Sequence, residues 1–163
     1  MNKTIALVLG AMLLGTPKMD ATTMIGKSSI TLKSDLMSPE ALWAMGRIGT
    51  AAVSPDGKQV VYQVSYYSVK ENKSHTVLYI QSTKAGKAIV KPVLLTSSQK
   101  SESDPSWIEG GKKIAFLRDG QLWKMNADGT VRVKLSDSKI DIEGYKFSPD
   151  GSKVILIKSL PYH

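Results

Sequence analysis

Histidine occurs twice in the 163 residues, at His75 and His163, and cysteine not at all. That scarcity removes most metal and thiol chemistry at once. Zinc wants several nitrogen or sulfur ligands, and thiolate nucleophiles, disulfides and iron–sulfur clusters all need cysteine. A serine hydrolase needs serine, histidine and an acid in one site, with the nucleophile commonly on a Gly-x-Ser-x-Gly elbow. No such pentapeptide is present. His75 follows the polar run Asn72-Lys73-Ser74, formally a glycosylation sequon, and is expected as a solvated loop residue. No residue is therefore assigned a catalytic, cofactor-binding or metal-ligating role, and no cofactor is expected.

Three further patterns invite a chemical reading and yield a structural one. Ala21 to Ser28 (ATTMIGKS) fits a relaxed phosphate loop. That chemistry needs a strand before the loop and a helix starting at the Lys-Ser, whereas Ser29-Ile30-Thr31-Leu32 is unlike a helix start. Asp56 and Asp150 each sit in Ser-Pro-Asp-Gly, where aspartate suits the turn. Trp107 and Trp123 fall on expected strands, so packing is the expected fate of both rings.

The elements that would have to position any site repeat along the chain. Ala51-Ala52-Val53-Ser54-Pro55-Asp56-Gly57-Lys58-Gln59-Val60-Val61-Tyr62 returns as Tyr145-Lys146-Phe147-Ser148-Pro149-Asp150-Gly151-Ser152-Lys153-Val154-Ile155-Leu156, with a degenerate copy at Asp104 to Phe116. Aligning Ser54, Ser106 and Ser148 spaces the copies by roughly 40–50 residues, the period of propeller blades. Proline and glycine in Ser-Pro-Asp-Gly turn the chain between antiparallel strands, and Asp119-Gly120 between apolar runs reads as a two-residue hairpin. A fourth strand is expected over Thr130 to Leu135, so the middle copy makes one four-stranded blade. In the first blade the third and fourth strands are expected at Thr76 to Ser82 and Pro92 to Thr96, after a long loop from Tyr66 to His75. The fold class is all-β: an incomplete β-propeller of about two and a half four-stranded antiparallel blades. Blade 1 is placed at about 50–97, blade 2 at about 104–136 and an incomplete blade 3 at about 144–160, within a region 47–163.

Ahead of the blades, residues 38–46 read as one short helix. Ser38 caps it, Pro39 takes its first position, Glu40 meets the positive end of the dipole and Gly46 ends it. Its apolar Leu42, Trp43 and Met45 suit docking on a larger body. Lys3 followed by the apolar run Ile5 to Gly15 has the form of a secretory signal, too short to span a membrane. Residues 1–21 are expected as a signal peptide and 22–37 as a flexible mature N-terminus, which places the protein in a bacterial periplasm or outside the cell. The net charge is +8, yet arginine stands only at 47, 118 and 132. A lysine-covered surface without basic clusters argues against nucleic acid as a partner, and no membrane segment is expected after cleavage.

The stretch from Leu42 (LWAMGRIGTAAVSPDGKQVVY), just after an export signal, resembles the start of the propeller in secreted prolyl oligopeptidase-family serine peptidases. The dipeptidyl-peptidase and acylaminoacyl-peptidase-like members are the nearest in character. The resemblance runs from about residue 36 onward, and its Ser-Pro-Asp-Gly copies are shared with Tol-type periplasmic propellers. It implies a propeller that gates or binds peptide substrates for a C-terminal α/β-hydrolase domain carrying Ser, Asp and His. None of those triad positions lies in this sequence, so the chain is expected to be inactive alone, a portion ending before the hydrolase domain. A non-catalytic periplasmic propeller or interaction module is the alternative.

Overall fold

A computed structural model describes residues 25–27, 36–84, 91–96 and 98–160. The expected signal peptide, most of 22–37 and all but 25–27 of the phosphate-loop-like stretch lie outside the described residues. The chain folds as α1 (Pro39–Ala44), then strands β1 (Arg47–Val53), β2 (Gln59–Ser68), β3 (Lys73–Ser82) and β4 (Val93–Leu94). A second set follows: β5 (Glu102–Ile108), β6 (Lys113–Arg118), β7 (Gln121–Asn126) and β8 (Val133–Lys134), then β9 (Gly144–Phe147) and β10 (Val154–Ile157). Each set of four is an antiparallel meander, β1-β2-β3-β4 and β5-β6-β7-β8, and β9 pairs with β10 alone. These are two blades and the first half of a third, not closed into a ring.

Turn chemistry builds the first and third hairpins identically. The Ser54 backbone pairs with Gln59, its hydroxyl donates to Asp56 Oδ1 at 2.6 Å and accepts from Gln59 N at 2.9 Å, and Asp56 Oδ1 also accepts from Lys58 N. Ser148, Asp150, Ser152 and Lys153 repeat every one of these bonds. Gly57 and Gly151 take φ of +69° and +71°, where a side chain would be strained. The middle hairpin is different. Its strands end at Ile108, opposite Lys113, and the turn is Glu109-Gly110-Gly111-Lys112, two residues shorter. Ser106 therefore lies inside β5 and is not the counterpart of Ser54; the structural counterparts are Val53, Ile108 and Phe147. Serine is common on strands and turns alike, so aligning on it misplaced the register.

Two other devices recur that have no sequence motif. The first strands of both full blades bulge at the same place, between Ile48 and Ala51 in β1 and between Ser103 and Ser106 in β5. In β5 the bulge holds Pro105, which lacks a ladder donor, and Asp104, whose N–H goes instead to Gln63 Oε1 of blade 1 at 2.7 Å. The outer strands β4 and β8 pair through only two residues each. A hydroxyl then replaces the missing carbonyl: Leu78 N donates to Thr96 Oγ1, and Leu122 N to Ser136 Oγ. Short edge strands limit the unpaired backbone offered to other chains.

The long loop expected from Tyr66 to His75 does not exist. The ladder of β2 and β3 runs through Tyr66↔His75, Tyr67↔Ser74 and Ser68↔Lys73, leaving only residues 69–72 as the turn. His75 is 4% exposed rather than solvated. A polar stretch conceals its period-2 pattern, but pairing with two tyrosines gives each residue a partner across the strand.

Sheet β5–β8 is buried on both faces. Ile114 and Phe116 of β6 face blade 1 and meet Val61, Leu78, Ile80 and Leu95. Ala115 and Leu117, pointing the other way, meet Ile142 with Tyr145, Phe147 and Leu156 of the third blade. Trp107 bridges the first interface, donating Nε1–H to Ala52 O at 2.9 Å. The Tyr145 hydroxyl spans the second, its one proton shared between the carbonyls of Asp104 at 2.6 Å and Ala115 at 2.8 Å. Both tryptophans expected to pack do so, Trp107 and Trp123 flanking the first core. The helix behaves differently from its expected docking: only Ala41 is buried, and Leu42, Trp43 and Met45 stay 46%, 41% and 45% exposed. Replacing Trp107 by phenylalanine keeps a ring but orphans the Ala52 carbonyl. The expected loss is about 1–3 kcal/mol, read as a lower urea midpoint with unchanged m-value.

Candidate functional site

The hairpin ends of β2–β3, the start of β1 and helix α1 converge on one side of blade 1. Arg47 pairs across the ladder with Ser65, which puts it on the face that Tyr67 shares. Its guanidinium lies between two rings, 4.9 Å from the Trp43 centroid and 4.7 Å from that of Tyr67. The rings themselves meet edge to face at 5.8 Å. Beside them opens a cavity of about 420 Å³ whose remaining wall is Ser68, Val69, Asn72, Lys73 and Ser74. Asn72 holds φ of +48°, a left-handed turn conformation that asparagine tolerates well.

On the opposite face of the same sheet, Tyr62, Tyr66 and Tyr79 line a cleft of about 650 Å³ together with Lys27, Met45, Gly46, Lys91 and Pro92. Tyr62 and Tyr79 stack at 5.8 Å, and the hydroxyls of Tyr66 and Tyr79 sit 3.2 Å apart. Burial, with the Tyr79 hydroxyl beside it, pushes Tyr66 up to about 12, so it stays a neutral phenol. His75 stands beside Tyr66 across the ladder with no partner for Nε2, and burial holds its pKa below the usual 6.5. Gly46 makes this face possible. A Cβ there would stand 2.7 Å from both Tyr66 and Val64.

The next blade carries a buried charge cluster. Glu102 is completely buried at the start of β5, with Arg118 Nη1 at 3.7 Å and Arg132 Nε at 3.9 Å. Burial raises the Glu102 pKa, and the two guanidinium groups, then the Thr96 hydroxyl, oppose that rise. Arg132 also donates to the Leu95 carbonyl of blade 1 at 2.6 Å, and Arg118 covers the Trp123 ring at 5.2 Å. The cluster clamps the two blades together and opens onto none of the cavities described.

Asp56 and Asp150 stay in their turns as the sequence suggests, and hydrogen bonds from Ser148 and Ser152 lower the Asp150 pKa to about 2. His75 joins no acid, and no cluster of three or more histidine, aspartate or glutamate residues able to hold a metal occurs among the described residues. Reading the sequence for motifs passed over Arg47 and Glu102. The available signal was arginine itself, used three times on a surface otherwise served by lysine, because planarity and a fork of donors suit stacking and paired contacts.

No protein-family model matches the chain. Over 161 residues, 95% of its length, it is 36% identical to dipeptidyl-peptidase 5 of Porphyromonas endodontalis. The same protein of Porphyromonas gingivalis is 34% identical over 167 residues. This chain is a relative of a segment of dipeptidyl-peptidase 5. It spans 23% of the length of each of those two proteins. An uncharacterized peptidase of Bacillus subtilis, YuxL, is 25% identical over 77% of the chain. Among solved structures, acylaminoacyl peptidase of Pyrococcus horikoshii superposes with a TM-score of 0.54 at 18% identity, covering 70% of this chain and 18% of that one. That likeness concerns the fold of the blades.

Two measurements test this arrangement of blade 1. Gly46→Ala must displace Tyr66 or the helix and is expected to cost about 1–3 kcal/mol in thermal unfolding. The lowered His75 pKa means that the unfolded chain takes up the proton first. Stability from this residue is full above pH 6.5 and falls as the pH drops from there toward the depressed value. His75→Leu should flatten the slope of Tm over that window, and an unchanged slope would show that folding does not lower the His75 pKa.

Proposed function

We propose that the chain forms part of the propeller of an exported serine peptidase acting on short peptides, its blades binding or admitting the substrate. The carrying observation is the 36% identity to dipeptidyl-peptidase 5 across 95% of a chain that has no Gly-x-Ser-x-Gly. Open blade faces with aromatic cavities support a role in holding ligand. Serine, aspartate and histidine come from an α/β-hydrolase domain outside these 163 residues, and the apolar run Ile5 to Gly15 directs export to the periplasm or the cell surface.

The gene beyond codon 163 decides the enzymatic part. A Gly-x-Ser-x-Gly with later aspartate and histidine codons is expected, and further blades alone would sink the reading. A fluorophosphonate probe should label the product of the longer reading frame and leave the 163-residue chain unlabelled; stoichiometric labelling of any serine here would overturn the assignment. N-terminal sequencing of the exported protein should begin near residue 22.

A further inference from the structure

Among the three arginines, Arg47 alone has rings and no acid. Arg118 and Arg132 face Glu102, and Lys58, Lys100, Lys113, Lys124 and Lys134 each reach a carboxylate. Arg47 lies in a cavity wall that contains no aspartate or glutamate, and Lys73 shares that wall. No carboxylate among the described residues forms an ion pair with either cation.

The rings decide what the guanidinium can still do. Trp43 and Tyr67 engage the cation through their π-systems, which fixes the group without using any of its five N–H donors. A guanidinium so held, with free donors and its entropy of ordering already met by the protein, matches a carboxylate fork to fork. The rest of the wall fits the same ligand. Lys73 adds a second positive charge, Asn72, Ser68 and Ser74 add neutral polar groups, and Val69 with the two rings offers apolar surface to a hydrocarbon portion.

We propose that this cavity, between Trp43, Arg47, Tyr67 and the β2–β3 turn, is a carboxylate-binding site for peptides. The peptide as carrier rests on the peptidase reading; the carboxylate does not. The carboxylate is either the C-terminus of the peptide or an acidic side chain, and Arg47 is a binding residue in both cases.

Calorimetric titration of the full 163-residue chain separates the sources with three probes: tri-alanine, its C-terminal amide, and N-acetyl-Ala-Asp-Ala-amide. Binding of tri-alanine but not its amide assigns the C-terminus; binding of the aspartyl peptide assigns the side chain. Arg47→Gln should weaken whichever binds by about 10–100-fold, the loss expected for a charge-assisted contact. Lys73→Gln, which removes a charge but no member of the ring stack, should weaken it several-fold and serves if Arg47→Gln does not fold by circular dichroism. Tri-alanine amide binding as tightly as tri-alanine, no carboxylate binding at all, or affinity unaffected by the two substitutions would each overturn the site. No hydrolysis is read, so the site can fail while the peptidase reading stands, and a missing nucleophile downstream leaves this measurement intact.

Discussion

A meander of four strands has two faces, and when both are apolar each must be covered by another sheet. Everything else in this protein follows from how that requirement is met in β6. Its run Ile114-Ala115-Phe116-Leu117 is buried throughout, alternate residues feeding opposite cores. Truncating such a side chain as Phe116 would cost about 3–5 kcal/mol, more than most surface contacts together. Blade 2 is thus the only described sheet with both faces covered by neighbouring blades. Among the described residues, blade 1 has its second face covered only by α1 and Ile25, and that partial cover leaves the tyrosine cleft.

Covering a sheet buries backbone as well as side chains, and the interfaces are stitched where the ladder is locally broken. The bulge in β5 frees the Asp104 N–H and carbonyl; Gln63 of blade 1 takes the first and Tyr145 of blade 3 the second. Irregularity in one strand thereby becomes the contact that fixes its neighbours on both sides. The buried Glu102 works with less economy, since desolvation raises its pKa against two arginines that stand just beyond hydrogen-bond distance. Its value lies in tying blade 2 to Leu95 through Arg132 rather than in net stabilisation.

Cation placement separates structure from prospective function. Where arginine meets a carboxylate it closes an interface, and where it meets only rings it is presented to a cavity. The two environments are distinguished by what is absent from the wall, and no residue spacing announces an absence.

The amino-acid sequence determined the class of the fold, the Asp119-Gly120 hairpin and the two Ser-Pro-Asp-Gly turns, because turn conformation and strand alternation are local properties of a few adjacent residues. It also determined that no cysteine chemistry occurs and where the capped helix begins. Tertiary structure decided the rest. The short glycine turn that replaces Ser-Pro-Asp-Gly in blade 2, the burial of His75 beside Tyr66, the Glu102 clamp and the Arg47 stack all depend on partners 20 or more residues away or on cross-strand register. The polar start of β3, Lys73 to His75, hides its period because cross-strand pairing, rather than hydropathy, sets its register. Long-range contacts of that kind are set by how sheets stack, and stacking has no signature in a window of neighbouring residues.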